Sequence, residues 1–235
     1  MKIQNTRDRL KKQAVNKKNK TFVIDLDGTI CDLDSVFFKT AYALSYFGKE
    51  IDETFFDTRQ FITLADNGIL SEEDEDRILT LLDVFKIWEA LEPFSGVSDF
   101  LHSISSGGHS IVYLTGRKNY LRKQTTNWLH INKFPRPSDE SFGNETIGGK
   151  VTLLMDGRNT KVEHLKNISK TLTLSSIFYF ENDPFFVQKA HEFGYRNIYT
   201  FKESYILSES LPKSVVILEK PKKGAYSRLD KSIFE

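Results

Sequence analysis

The stretch FVIDLDGTI, residues 22–30, decides how the rest of the chain is read. Its apolar start reads as a short buried strand. Two carboxylates, Asp25 and Asp27, then follow on alternate positions, and Gly28-Thr29 turns the chain. Charge at the end of a core strand is costly to bury without compensation. The pair therefore calls for a partner.

Working outward, the same kind of run recurs. TFVIDL (21–26), HSIVYLT (109–115), KVTLLMD (150–156), SIFYFE (176–181) and RNIYTF (196–201) are short, rich in β-branched and aromatic residues, and apolar on both faces. That pattern marks parallel strands covered by helices on both sides. Helical periodicity fills the gaps: 97–106 places Val97, Phe100, Leu101 and Ile104 on one face, 118–131 places Leu121, Trp128 and Ile131, and 160–170 and 184–193 follow. The alternation predicts an α/β fold, a doubly wound, mostly parallel sheet. SVVILE (214–219) is a candidate edge strand, and KPKKGAYSRLDK reads as a solvated tail.

Residues 33–92 break the rhythm and read as a helical insertion, or cap. Phe37, Ala41 and Leu44 keep helical spacing as far as Gly48, and Ser71 with Asp74 opens a further helix expected to run to Pro93. Residues 49–92 carry 13 acids and 4 bases, so the insertion is strongly acidic. The expected organisation is a basic arm (1–20), a core (21–32 and 93–205), the cap (33–92) and a C-terminal extension (206–235).

Eight cations against Asp8 make residues 1–20 basic. Such an arm can hold phosphate backbones, although a solvated terminus is the commoner case. The acidic cap disfavours a polynucleotide lying across it. Nucleic acid is thus a possible partner but not the favoured one. A single cysteine, Cys31, excludes an internal disulfide framework, and no apolar run reaches membrane-spanning length. The expectation is a cytoplasmic protein.

In an open α/β sheet, ligands bind at the carboxyl ends of strands, near the point where strand order reverses. Period-two geometry would point Asp25 and Asp27 the same way, where they repel unless a cation joins them. Mg²⁺ takes one or two carboxylates plus substrate phosphate. One carboxylate could then attack phosphorus while the other moves a proton. Gly28 permits a tight turn whose amides can face a phosphate. Three further elements sit at strand ends or a helix start. In IVYLTGR, Thr115 and Gly116 can donate to a phosphate oxygen, whereas Arg117, Lys118, Arg122 and Lys123 read as a solvated basic face. In GRNTKVEHL, Lys161 at a helix start can neutralise shared charge. Lys150 competes for that role, but the glycine spacing around it is wrong for a nucleotide loop. In SIFYFENDP, Glu181, Asn182 and Asp183 offer oxygen ligands, with Asp183 also able to cap a helix at Pro184. The five histidines show no ligand spacing.

Together the four stretches resemble the signature of the haloacid dehalogenase-like hydrolase superfamily, across roughly residues 21–200. The resemblance implies a Rossmann-like core with an inserted helical cap and a phosphatase acting on a phosphorylated small molecule. It makes Asp25 the nucleophile that forms an aspartyl-phosphate, Asp27 the general acid/base, Thr115 a phosphoryl-binding residue and Lys161 the residue that orients the nucleophile. Mg²⁺ is the implied cofactor, held by Asp25, Asp27 and the Glu181–Asn182–Asp183 cluster. The family's fourth motif usually carries paired aspartates, where this chain has Glu181 and Asn182. A phosphatase for 3'-phosphorylated nucleic-acid ends and a binding protein that lost catalysis are the competing readings. Phe37, Phe38, Tyr42, Phe47, Phe55, Phe56 and Phe61 are the aromatic cap residues available for substrate contact.

Overall fold

Runs of three to five residues, most of them apolar on both faces, form the strands of a sheet sandwiched between helices. A computed structural model describes residues 19–43, 71–137, 151–201, 211–219, 226 and 229. The basic arm up to residue 18, Lys150, Phe47, Phe55, Phe56 and Phe61 lie outside the described residues, as do the side chains of Phe38 and Tyr42.

Among the described residues the sheet has six strands: β1 (Thr21–Ile24), β2 (Ser110–Leu114), β3 (Val151–Leu154), β4 (Ile177–Phe180), β5 (Asn197–Phe201) and β6 (Val216–Leu218). Their order is β3-β2-β1-β4-β5-β6, and every pairing is parallel. Strand order therefore reverses beside β1, between it and β4. This is where an open α/β sheet presents a crevice.

Alternation along each strand divides the core into two clusters. Phe22, Ile24, Ile111, Tyr113, Phe178 and Phe180 face one side; Val23, Val112, Leu114, Ile177 and Tyr179 face the other. The first side is covered by α4 (Val97–Ser106) and α5 (Arg122–Ile131), which bury Phe100, Leu101, Ile104, Trp128 and Leu129. The second is covered by α6 (Arg158–Thr171) and α7 (Pro184–Glu192), through Leu165, Ile168, Phe186, Val187 and Ala190. The doubly wound, parallel expectation holds, and the candidate edge strand pairs with β5 as β6.

The described parts of the insertion form helices α1 (Leu33–Ala43), α2 (Glu72–Val84) and α3 (Ile87–Ala90). The Ser71 hydroxyl caps the second, accepting from the Asp74 N–H at 3.1 Å. A continuous helix to Pro93 is not what forms: Phe85 ends it and Lys86 adopts φ 54°, in the left-handed region. The break lets the short helix turn Trp88 into the core, with Leu91 following, and the Trp128 indole donates to the Leu91 carbonyl at 2.7 Å. Phe37, Ile78, Leu82 and Trp88 share one cluster with the sheet residues.

The tail expectation is corrected at one residue. Tyr226 is buried, packs between Phe100 and Phe201, and donates its hydroxyl to the Thr29 carbonyl at 2.7 Å. A Tyr226→Phe variant keeps the ring and leaves that buried carbonyl unpaired. A loss of about 1–3 kcal/mol is expected, read as a lower denaturant midpoint with an unchanged slope.

Candidate active site

At the carboxyl end of β1 the chain stops being a strand. Asp25 N–H still reaches the Phe180 carbonyl at 3.0 Å, but the Leu26 carbonyl then accepts from Thr29, Ile30 and Cys31, coiling residues 25–31 into a tight loop. Period-two geometry ends with β1, so the two aspartates take separate partners.

Asp25 is buried against Lys161, whose Nζ lies 2.6 Å from Asp25 Oδ1 and 2.8 Å from Glu181 Oε2. Lys161 sits in the first turn of α6, and its ammonium also lies 4.2 Å from the Phe186 ring centroid. One lysine thus serves two buried carboxylates. Burial, and next the Glu181 charge, push Asp25 up to about 8 against the pull of Lys161. Burial alone would lower Lys161, but Asp25 and Glu181 together hold it above the ordinary lysine value.

Glu181, expected as a metal ligand, has both oxygens engaged. Its Oε2 takes Lys161 and, at 2.5 Å, the Tyr179 hydroxyl; its Oε1 takes the Asp183 N–H at 3.0 Å. Asn182 Oδ1 accepts from the Thr29 hydroxyl at 3.0 Å, and that hydroxyl accepts from the Asn182 N–H at 3.1 Å. Asp183 caps α7 through Oδ1, which accepts from Phe185 at 2.9 Å. Its buried Oδ2 has no hydrogen-bond donor, although Arg158 Nη1 lies 3.1 Å away in ion-pair range. The distance permits charge pairing, and the alignment falls short of a hydrogen bond.

Asp27 belongs to a second constellation. Arg117 grips it in a fork, Nη2 at 2.6 Å from Oδ1 and Nε at 2.9 Å from Oδ2. Thr115 donates to Asp27 Oδ2 at 3.4 Å and accepts from the Arg117 N–H at 3.2 Å. The solvated-face reading of Arg117 is therefore wrong: the residue is 4% exposed. Its guanidinium lies 4.8 Å from the Trp88 ring and 5.7 Å from the Trp128 ring, and Nη1 donates to Thr125 at 3.2 Å. The other three cations of that stretch do sit at the surface or partly so.

The two glycines differ. Gly28 has φ 76°, as a tight turn requires, and its N–H donates to the Cys31 carbonyl at 2.9 Å. Gly116 N–H carries no hydrogen bond among the described residues, and neither do the N–H groups of Leu26 and Asp27. Unpaired amides at strand ends are a natural cradle for an anion.

The loop after β3 fixes Lys161. Asp156 is strained at φ 119°, its N–H donates to the Arg117 carbonyl at 2.9 Å, and its Oδ1 accepts from Asn119 at 3.3 Å. That strap joins the loops after β2 and β3 and sets where α6 begins.

Four carboxyl groups (Asp25, Asp27, Glu181, Asp183) share three cations (Arg117, Arg158, Lys161), so Asp25 and Glu181 have one ammonium between them. Asp183 Oδ2, which accepts no hydrogen bond although Arg158 pairs with it, and an all-oxygen donor set fit a hard divalent cation such as Mg²⁺. No three His, Cys, Asp or Glu side chains form a ready cage among the described residues. The candidate donors are therefore Asp25, Asp183 and the Asn182 amide oxygen, the last also accepting from the Thr29 hydroxyl.

No family model matches the sequence, and no curated protein matches it either. Solved structures do. A haloacid dehalogenase-like hydrolase from Streptococcus pneumoniae aligns over 89% of this chain and 99% of its own, with 15% identity and a TM-score of 0.55. CbbY from Rhodobacter sphaeroides, in complex with phosphate, aligns over 90% and 96% with 14% identity and a TM-score of 0.54. A predicted phosphatase from Clostridium acetobutylicum aligns over 85% and 94% with 12% identity and a TM-score of 0.54. The chain has the haloacid dehalogenase-like fold. Within that fold, the departure at Glu181-Asn182 leaves a lysine-paired glutamate and a neutral amide at the end of β4. Among the described residues, no helix is long and apolar enough to cross a membrane.

Proposed function

We propose that this chain is a phosphohydrolase that cleaves a phosphomonoester by way of a phosphoryl group held on Asp25. The observation that carries the reading is the buried Asp25–Lys161 pair at 2.6 Å, at the sheet's reversal point, beside the unpaired N–H groups of Leu26, Asp27 and Gly116. A carboxylate held as acceptor by an ammonium, next to open amide donors, suits attack on phosphorus. CbbY, with the same fold, was solved with phosphate bound, which agrees with this class of ligand.

In the reaction an Asp25 oxygen bonds to phosphorus as the bond from phosphorus to the ester oxygen breaks. The departing oxygen takes a proton from the Asp27 carboxyl. A water then attacks phosphorus, Asp27 takes the water's proton, and the acyl-phosphate bond to Asp25 breaks to give inorganic phosphate. Lys161 keeps Asp25 aimed, Thr115 and the open amides hold phosphoryl oxygens, and Glu181 with Tyr179 fixes Lys161. Mg²⁺, held by Asp25, Asn182 and Asp183, would neutralise charge gathering on the phosphoryl group.

A small phosphorylated molecule is the favoured substrate class. The test is release of inorganic phosphate from a panel of sugar, nucleotide and polyol phosphates and a 3'-phosphorylated oligonucleotide, with Mg²⁺ and with EDTA. Metal-dependent release from one or more small esters is the expected result. Release from the oligonucleotide alone moves the assignment to nucleic-acid ends, and no release from any ester contradicts it.

A further inference from the structure

We propose that Tyr226 is a positioning residue that reaches from the C-terminal extension to the loop after β1 and sets the aim of the Asn182 amide oxygen. The proposal rests on the phosphohydrolase reading and deepens it at the same site. Tyr226 is buried between Phe100 of α4 and Phe201 at the end of β5, and Leu229 packs against the same core. The extension thereby brings one hydroxyl to the sheet's reversal point, where it donates to the Thr29 carbonyl at 2.7 Å. Backbone bonds fix the two ends of that loop, Asp25 N–H to the Phe180 carbonyl and Phe94 N–H to the Ile30 carbonyl, each at 3.0 Å. The Tyr226 hydroxyl fixes a peptide between them. Thr29 passes its position on. Its hydroxyl donates to Asn182 Oδ1 at 3.0 Å and accepts from the Asn182 N–H at 3.1 Å, a closed pair buried from water. Where Thr29 sits therefore decides where Asn182 Oδ1 points. An amide oxygen carries no net charge, so what it offers a hard cation depends on how its dipole is aimed. Of the three candidate Mg²⁺ donors, Asn182 is the one whose aim matters most.

Metal binding tests this without turnover. Mg²⁺ is titrated into wild type and Tyr226→Phe by calorimetry, well below the melting temperature of either. The dissociation constant should rise about tenfold in the variant, the scale seen when partners that orient a metal's ligands are lost. The Mg²⁺ concentration for half-maximal p-nitrophenyl phosphate hydrolysis should rise in step, with kcat at saturating Mg²⁺ changed by less than about twofold. Tyr195→Phe is the control for lost stability alone. Its hydroxyl also donates to a carbonyl, that of Leu165 at 2.8 Å, but within the cluster on the opposite side of the sheet. That variant should leave Mg²⁺ affinity unchanged. Thr29→Val should weaken Mg²⁺ binding to a like degree and Thr29→Ser should keep it. Adding Tyr226→Phe to Thr29→Val should cost little more, as expected of two residues acting through one contact. Unchanged Mg²⁺ affinity in Tyr226→Phe, an equal weakening in Tyr195→Phe, or fully additive losses in the double variant overturns the proposal and leaves the phosphohydrolase reading intact. A wild type that hydrolyses esters but binds no Mg²⁺ does the same. A wild type that hydrolyses no ester overturns that reading and the proposal with it.

Discussion

Lys161→Met is expected to abolish turnover and to destabilise the fold by about 3–5 kcal/mol near neutral pH, the range for removing one partner of a buried ion pair. Methionine approximates the length of lysine and packs acceptably beside the Phe186 ring. What it cannot do is donate to Asp25 and neutralise Glu181, which lie 2.6 and 2.8 Å from the ammonium. Both carboxylates are almost fully buried, so water cannot substitute. The loss should shrink at acid pH, where the abandoned carboxylates take up protons, and grow toward pH 8. Lys161 itself is held above its ordinary value of 10.5, so its contribution is present throughout that range and would fade only in strong alkali. Denaturant midpoints of wild type and variant across that range check this. A loss independent of pH, or below about 1 kcal/mol as for a surface pair, would contradict it.

Asp25→Asn carries the second large effect, and its two consequences run in opposite directions. Turnover should fall by several orders of magnitude, because the amide is a poor nucleophile at the same position. Stability should rise in metal-free protein at alkaline pH. Asp25 is raised from 3.8 to about 8 in the fold, by burial first and Glu181 next. Between those two values the folded chain holds a proton that the unfolded chain has lost. Stability therefore falls as pH climbs through that window. A tenfold difference in proton affinity between folded and unfolded chain is worth about 1.4 kcal/mol, so the penalty reaches a few kcal/mol at the upper end. Asparagine removes it and leaves Lys161 with Glu181 as a balanced pair. Melting temperature in EDTA should thus decline with pH in wild type and stay flatter in Asp25→Asn. Mg²⁺ should raise the wild-type melting temperature at the alkaline end and have little effect on the variant. Parallel pH profiles for the two proteins would contradict the account.

Much of this fold is legible in the sequence because parallel strands covered on both faces leave nearly continuous apolar runs, as in Ile177–Phe180. The site is partly legible for a related reason. Asp25, Thr115, Lys161 and Glu181 each follow an apolar run or open a helix, and the sheet brings them to one crevice. What stayed hidden are residues whose local context misleads. Arg117 stands among Lys118, Arg122 and Lys123, and charge density alone reads as solvent. Only the fold shows that a residue two past Thr115 turns back onto Asp27 between two indoles. Tyr226 lies in a lysine-rich stretch, and nothing local reveals its bond to Thr29. Lys86 breaks a helix with no glycine or proline to announce it, since burial of Trp88 outweighs the strain of a left-handed lysine. Glu181 reads as a ligand from its place at a strand end, and its bonds to Lys161, Tyr179 and the Asp183 N–H are what the sequence does not show.

The most direct test of Asp25 as nucleophile is the rate of p-nitrophenyl phosphate hydrolysis by wild type and Asp25→Asn, each purified identically and assayed with Mg²⁺. A wild-type rate that vanishes in the variant, and in wild type with EDTA, is the predicted result. A variant that hydrolyses the ester as fast as wild type would show that the chemistry resides elsewhere.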